Sequence, residues 1–274
     1  MSTLFRPFES KDAAQAYERG TAVRSALLGN ATTRMLDVAR LRPGSLVLDV
    51  GTGPGVTAVL AAGRVQPGGH VLAIDASPGM VEQASARARD SSLDNIEVRL
   101  MDGARLELDD ATLDAVIGRN VMQFLPQWPE PLRGFCRALR PGGRLSFMVW
   151  APKELNRYFD LPIAVAEEER LLRLPSTALR TAFVLSEVDF AYQLESAGFL
   201  EARVEDVAGE VRTDNRESLL EYLREGPICR AIVGELKAEE QAGFDGALVR
   251  AIERFRENGG YRVESVSRVV SGTR

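Results

Sequence analysis

Residues 47–55, Val-Leu-Asp-Val-Gly-Thr-Gly-Pro-Gly, constrain this chain more than any other stretch. An apolar run carrying Asp49 leads into Gly51, Gly53 and Gly55, and apolar residues resume at Val56, Ala58, Val59 and Leu60. That order reads as strand, tight glycine turn, helix, the geometry of the phosphate loop in nucleotide-binding α/β folds. The spacing differs from the dinucleotide fingerprint G-x-G-x-x-G, because the third glycine comes one residue early and Val56 stands in its place. A nicotinamide dehydrogenase is disfavoured on that ground. Asp49 is also poorly placed for a pyrophosphate, and a carboxylate there suits a cationic ligand better.

Downstream, short apolar strands alternate with helices. Strands are expected at Ser45–Val50, His70–Asp75, Ile96–Met101, Leu113–Gly118 and Arg144–Trp150. Helices are expected at Val56–Val65, after Ser77-Pro78, and over Pro131–Leu139. Ser77 is a suitable N-cap and Pro78 suits a first helical turn. This alternation indicates a mostly parallel sheet covered on both faces. Arg42-Pro43-Gly44, Gln66-Pro67-Gly68 and Arg140-Pro141-Gly142 repeat one turn chemistry before strands, with glycine where a type II turn needs positive φ. Residues 10–40 read as a helix in two pieces, broken near Gly20 or Gly29-Asn30. A helix is expected at Ile163–Arg173, another over Glu187–Ala197, a sixth strand at Phe199–Val207, helices within 215–258, and a last strand at Tyr261–Ser271.

Composition narrows the class. The chain has 274 residues, 45% hydrophobic and 27% charged, with a formal net charge of −5. That is ample apolar material for a core, and the acidic balance argues against a nucleic-acid partner. Two cysteines, Cys136 and Cys229, make neither a disulfide framework nor a metal cluster, which fits a reducing cytoplasm. Met1–Gly20 lacks the apolar run of a signal peptide, and no stretch approaches the ~18 apolar residues of a membrane span.

The spacing D-x-G-x-G-x-G over Asp49–Gly55 resembles motif I of the class I S-adenosylmethionine-dependent methyltransferases. Further phrases carry the likeness. They are Asp75-Ala76-Ser77-Pro78-Gly79-Met80, Asp102-Gly103, Arg119-Asn120-Val121-Met122-Gln123, Leu139-Arg140-Pro141-Gly142-Gly143 and Leu194-Glu195-Ser196-Ala197-Gly198-Phe199. The resemblance covers roughly residues 12–210 and the final strand, and is nearest the small-molecule branch typified by ubiquinone and menaquinone biosynthesis. Thr52, where the family usually has Cys or Ser, and Pro54 are common variation.

The resemblance implies a single Rossmann-like α/β domain. Its seven-stranded, mostly parallel sheet would occupy about 40–210 and 260–274, with the last strand inserted antiparallel between strands five and six. Segments 1–30, 152–185 and 215–258 would form a helical cap. It implies S-adenosylmethionine as cofactor and S-adenosylhomocysteine as product. Gly51, Thr52, Gly53 and Gly55 would let the backbone approach the cofactor's amino-acid end, with Asp49 beside its ammonium. Asp75 would bind the ribose hydroxyls, with Ala76 and Met80 adjacent. Asp102 and Gly103 would meet adenine, and Asn120 and Val121 would line the methionine tail. Gln123, Trp150, Asn156, Tyr158 and Tyr17 are the expected acceptor contacts. The acceptor is expected to be a small molecule, with no nucleic acid and no membrane span, and the protein a monomer or homodimer.

No histidine base is expected, because His70 is the sole histidine and starts the second strand at the far end of the sheet. No metal is expected either. Asn120, Gln123, Asn156 and Asp160 include a single carboxylate, and hard cations prefer more. Any proton removal would fall to Asp160, Tyr17, Tyr158 or water. A different reading is a protein that binds the cofactor without methylating, in a cyclase-like, isomerase-like or regulatory role.

Overall fold

A computed structural model describes Gln15 and residues 18–125, 129–180, 183, 185 and 188–274. Tyr17 and the expected helix start at Glu187 lie outside the described residues. The strands are β1 (Leu46–Val50), β2 (His70–Asp75), β3 (Ile96–Leu100), β4 (Leu113–Arg119), β5 (Leu139–Trp150), β6 (Leu200–Thr213), β7 (Arg256–Glu257) and β8 (Gly260–Thr273). Their order across the sheet is β3-β2-β1-β4-β5-β8-β6, with the two-residue β7 paired to β8. β1 to β5 are parallel, and β8 runs antiparallel between β5 and β6. The sheet therefore has eight strands where the sequence suggested seven, and the extra one is the small β7 hairpin.

Side-chain alternation divides the core. In β1, Val47 joins a cluster on one face of the sheet, while Leu48 and Val50 join a second cluster on the other. Asp49 alternates onto the Val47 face. That face is covered by helix α1 (Thr21–Val38), which runs without a break through Gly29-Asn30 and starts directly after Gly20. Gly209 lets β6 approach it closely, since a Cβ there would stand 1.9 Å from the Leu27 carbonyl oxygen. The Ser265 hydroxyl then donates to that same oxygen at 2.9 Å.

Helices α2 (Val56–Val65), α3 (Pro78–Asp90) and α4 (Glu130–Ala138) connect the parallel strands as expected. In the three Pro-Gly turns, Gly44, Gly68 and Gly142 take φ of 85°, 81° and 78°. The next helix, α5 (Arg157–Glu168), begins well before the Ile163 start expected from sequence. Pro162 sits inside the helix, where it supplies no N–H. Burial of Tyr158, Phe159, Leu161 and Ile163 offsets the missing N–H. Helices α6 (Phe190–Ser196), α7 (Arg216–Glu225), α8 (Pro227–Gly234) and α9 (Ala238–Ala251) complete the named elements. Among the described residues, no helix is long and apolar enough to cross a membrane.

Candidate cofactor and acceptor site

A cavity of about 460 Å³ opens at the carboxyl ends of β1, β2, β4 and β5. This is where ligands bind in open α/β sheets. Its floor is the glycine turn. Gly51, Gly53 and Gly55 all take left-handed backbone, with φ of 62°, 56° and 82°. At Gly51 a Cβ would stand 2.3 Å from Val121 Cγ2, so the turn and the segment after β4 can meet only with glycine there. At Gly53 a Cβ would meet no protein atom within 4 Å. Gly53 lines the cavity, and Gly55 instead caps α2.

The β2 end locks onto this turn. Asp75 accepts from the Gly53 N–H at 2.9 Å on one carboxylate oxygen and from the Ser77 N–H at 2.9 Å on the other. Burial pushes the Asp75 carboxyl above its ordinary range, while bonds from Ser77, Gly53 and Ala76 pull it back. Ser77 caps α3 by accepting from Met80 N, which fixes the buried Met80 against the cavity. After β3, Asp102 accepts from Ala104 N at 2.9 Å. Gly103 packs so closely that a Cβ would lie 2.6 Å from Val50 Cγ1. After β4, Asn120 takes φ 54° and donates its N–H to Met148 O at 2.8 Å. The Asn120 Oδ1 and Gln123 Oε1 atoms are both buried without a hydrogen-bond partner. Both residues line the cavity.

Of the expected cofactor residues, Gly51, Gly53, Asp75, Ala76, Met80, Asp102, Gly103, Asn120 and Val121 line one cavity. Asp49, Thr52 and Gly55 do not. Asp49 is fully buried and accepts from the Thr52 hydroxyl at 2.7 Å. Its alternation in β1 turns it under the loop, where its Oδ1 is buried without a hydrogen-bond partner. Burial pushes its carboxyl up to about 7, against the Thr52 bond and the Arg119 charge, which lower it.

The acceptor contacts divide more sharply. Trp150 and Gln123 line the cavity. Asn156 and Tyr158 do not. Asn156 is fully buried and spends its amide on backbone, donating to Ala151 O, Pro152 O and Val266 O and accepting from Val266 N. It ties the end of β5 to β8. The Tyr158 hydroxyl donates to Leu219 O at 2.6 Å, and burial raises its pKa far above the ordinary phenol value. Asp160 is held in a two-bond pair with Arg180 at 2.6 and 3.0 Å. Neither side chain is poised to take an acceptor proton.

The roof adds residues to the expected acceptor contacts. Phe159 lies 4.2 Å from Trp150, ring centre to ring centre, and Phe183 lies 6.3 Å from it. Tyr222 on α7 stacks over Tyr158 at 6.0 Å and faces the cavity. Arg24, Arg119, Pro162, Leu223, Glu225 and Ile228 complete that half. Among the described residues, no three His, Cys, Asp or Glu side chains are grouped to hold a metal. His70, at the start of β2, is not part of the lining.

A glycine floor, carboxylates at two strand ends, and unpartnered buried amide oxygens fit an elongated polar ligand bearing a ribose and a base. That donor set fits S-adenosylmethionine. A methyltransferase domain model matches residues 47–143. Nocamycin O-methyltransferase of Saccharothrix syringae is 33% identical over 197 residues, 68% of this chain and 70% of that protein. The 27-O-demethylrifamycin SV methyltransferase of Amycolatopsis mediterranei is 29% identical over 193 residues, covering 69% of this chain and 67% of that one. An uncharacterized 37.1 kDa protein in transposon TN4556 of Streptomyces fradiae is 42% identical over 111 residues, and the match spans only 32% of its length. Among solved structures, a SAM-dependent methyltransferase from Aquifex aeolicus superposes with a TM-score of 0.53 at 25% identity, over 70% of this chain and 89% of that one. The chain belongs to the class I S-adenosylmethionine-dependent methyltransferases.

Proposed function

We propose that the protein methylates a hydroxyl oxygen of a small organic acceptor. The observation that carries this reading is the continuity of the cavity, from the glycine turn and Asp75 to the aromatic roof of Trp150, Phe159, Phe183 and Tyr222. The names of the nocamycin and 27-O-demethylrifamycin SV enzymes support an oxygen acceptor on an organic small molecule.

S-adenosylmethionine supplies an electrophilic methyl group on a sulfonium. The task of the chain is placement and exclusion of water. Asp75 would accept from the ribose hydroxyls with lone pairs left over from its two backbone bonds. Asp102 would accept from the adenine amino group beside Gly103, with Met80 packed alongside. Gly51 and Gly53 leave room for the amino-acid end, and Asn120 and Val121 border it. Trp150 and Phe159 would press the acceptor toward the methyl group, with Gln123 bonding its polar atoms.

The test is incubation of the protein with methyl-labelled S-adenosylmethionine and a metabolite extract. Labelled product sensitive to ether cleavage, with stoichiometric S-adenosylhomocysteine, supports O-methyl transfer. Cofactor binding without turnover on any extract would favour a non-methylating role.

A further inference from the structure

Arg180 is held by two carboxylates of one helix. Its Nε and Nη2 donate to Asp160 Oδ1 and Oδ2 at 2.6 and 3.0 Å. Its Nη1 and Nη2 donate to Glu167 Oε1 and Oε2, both at 2.9 Å. Asp160 and Glu167 both lie on α5, about two helical turns apart, so their side chains share one side of it. Phe159 and Pro162 lie on other sides of α5 and line the cavity.

Exposed ion pairs usually contribute little to stability. This arrangement differs in two respects. Each carboxylate is held through both of its oxygens, the fork geometry in which arginine is most specific. The Arg180 and Asp160 side chains are only 17% and 14% exposed, so water and salt screen that pair less than a surface pair.

The clamp bears on the cavity wall. Arg180 directly follows the one-turn helix Ser176–Leu179. Its N–H donates to Ser176 O at 2.9 Å, and its carbonyl accepts from the Phe183 N–H at 2.8 Å. Leu179 and Phe183 are buried, and both line the cavity. The Phe183 ring stands 6.3 Å from that of Trp150. Bonded contacts therefore run from α5 through the Arg180 side chain and backbone to the wall beside Trp150. Arg180, Asp160 and Glu167 are not themselves part of the lining, so they act on the wall from behind.

We propose that Arg180 is a positioning residue that sets acceptor specificity. By clamping Asp160 and Glu167 it fixes Leu179 and Phe183 relative to Phe159 and Pro162, and so limits the size of acceptor that fits beside Trp150. The proposal rests on the methyl-transfer reading above. The flat aromatic walls suit ring compounds, and a wall that cannot move excludes a ring too large for the gap.

The experiment uses the whole chain saturated with S-adenosylhomocysteine. Calorimetry measures binding of phenol, 1-naphthol and 9-phenanthrol, which differ by one fused ring at each step. Transfer to each from methyl-tritiated S-adenosylmethionine is measured in parallel. Added apolar area alone would raise affinity at every step. In the wild type, affinity should instead fall about ten-fold or more at one step of the series. Arg180→Gln removes both forks and should abolish most of that fall, with cofactor affinity kept within about two-fold. Arg180→Lys keeps the charge without the forks and should keep only part of the fall. A merely stabilising ion pair would lower the melting temperature and leave the size preference alone. The same fall in folded Arg180→Gln as in wild type overturns the proposal, as does a wild type without any fall. If Arg180→Gln does not fold, judged by lost S-adenosylhomocysteine binding, Glu167→Gln decides, since it removes one fork and should soften the fall. Size-selective binding with no transfer to any probe supports the clamp and counts against methyl transfer to ring hydroxyls instead.

Discussion

The Gly53 N–H donates to the Asp75 carboxylate at 2.9 Å, joining the turn after β1 to the end of β2. The same carboxylate accepts from Ser77 N, so Asp75 holds the first turn of α3 as well. The residue proposed to meet the ribose is therefore also a staple of the site floor. Asp75→Ala should cost about 1.5–3 kcal/mol of S-adenosylhomocysteine binding, the scale for hydrogen bonds to a charged group. It should also lower the melting temperature of the ligand-free protein. Calorimetry showing unchanged affinity in a folded variant would remove Asp75 from the ligand contacts.

Asp49 makes the stability of the ligand-free protein depend on pH. Its carboxyl is pushed up to about 7 by burial, from an ordinary value of 3.8. Between those limits the folded state keeps a proton that the unfolded state has lost. The stabilising contribution is fully present below the unfolded value and declines as pH rises toward 7, at up to about 1.4 kcal/mol per pH unit. Urea unfolding from pH 4 to pH 8 should show this decline, and Asp49→Asn should flatten it. The same slope in both proteins would clear Asp49 of the effect.

The cofactor half was legible because backbone geometry demands particular residues. Three alternate glycines after a buried strand, and acids at successive strand ends, have few other uses. Asp49 was legible as a motif position but its burial was not, because a residue can belong to a motif and still alternate onto the buried side of its strand. The acceptor half was hidden for a different reason. Arg24, Phe159 and Tyr222 come from three helices far apart in the chain, and an apolar or aromatic helix position reads equally as core or as cavity wall. Asn156 misled because a polar residue just past β5 looks like a ligand contact. Its amide is in fact satisfied by the backbone of Ala151, Pro152 and Val266.

Two glycines of one turn should respond differently to the same added methyl group. Gly51→Ala drives a Cβ into Val121 and keeps a left-handed φ of 62°. Destabilisation of about 2–3 kcal/mol is expected, with cofactor binding lost as the turn shifts. Gly53→Ala has a similar φ of 56° but meets no protein atom. It should cost only about 1–2 kcal/mol of stability, and its larger effect should be on cofactor affinity. Thermal melts paired with calorimetry measure both quantities. Equal affinity in wild type and Gly53→Ala would mean that the cofactor does not approach that face of the turn.

Three aromatic or polar residues near the end of β5 should separate into one that selects the acceptor and two that hold the fold. Trp150 lines the cavity and packs on Phe159, so Trp150→Ala should raise the acceptor KM or lower kcat while cofactor affinity stays within about two- to three-fold, a shift of roughly 0.5 kcal/mol. Asn156→Ala strands the Val266 N–H in a buried site and should destabilise the protein by about 2–3 kcal/mol. Tyr158→Phe leaves Leu219 O without its hydroxyl donor and should cost about 1–2 kcal/mol, with little change in acceptor KM. Denaturant melts and steady-state kinetics on all three variants make the comparison. If Trp150→Ala loses cofactor binding and folding together, the indole is core and not pocket wall. If Tyr158→Phe changes acceptor kinetics at unchanged stability, the hydroxyl reaches the acceptor in the working enzyme, and its bond to Leu219 would have to break during turnover.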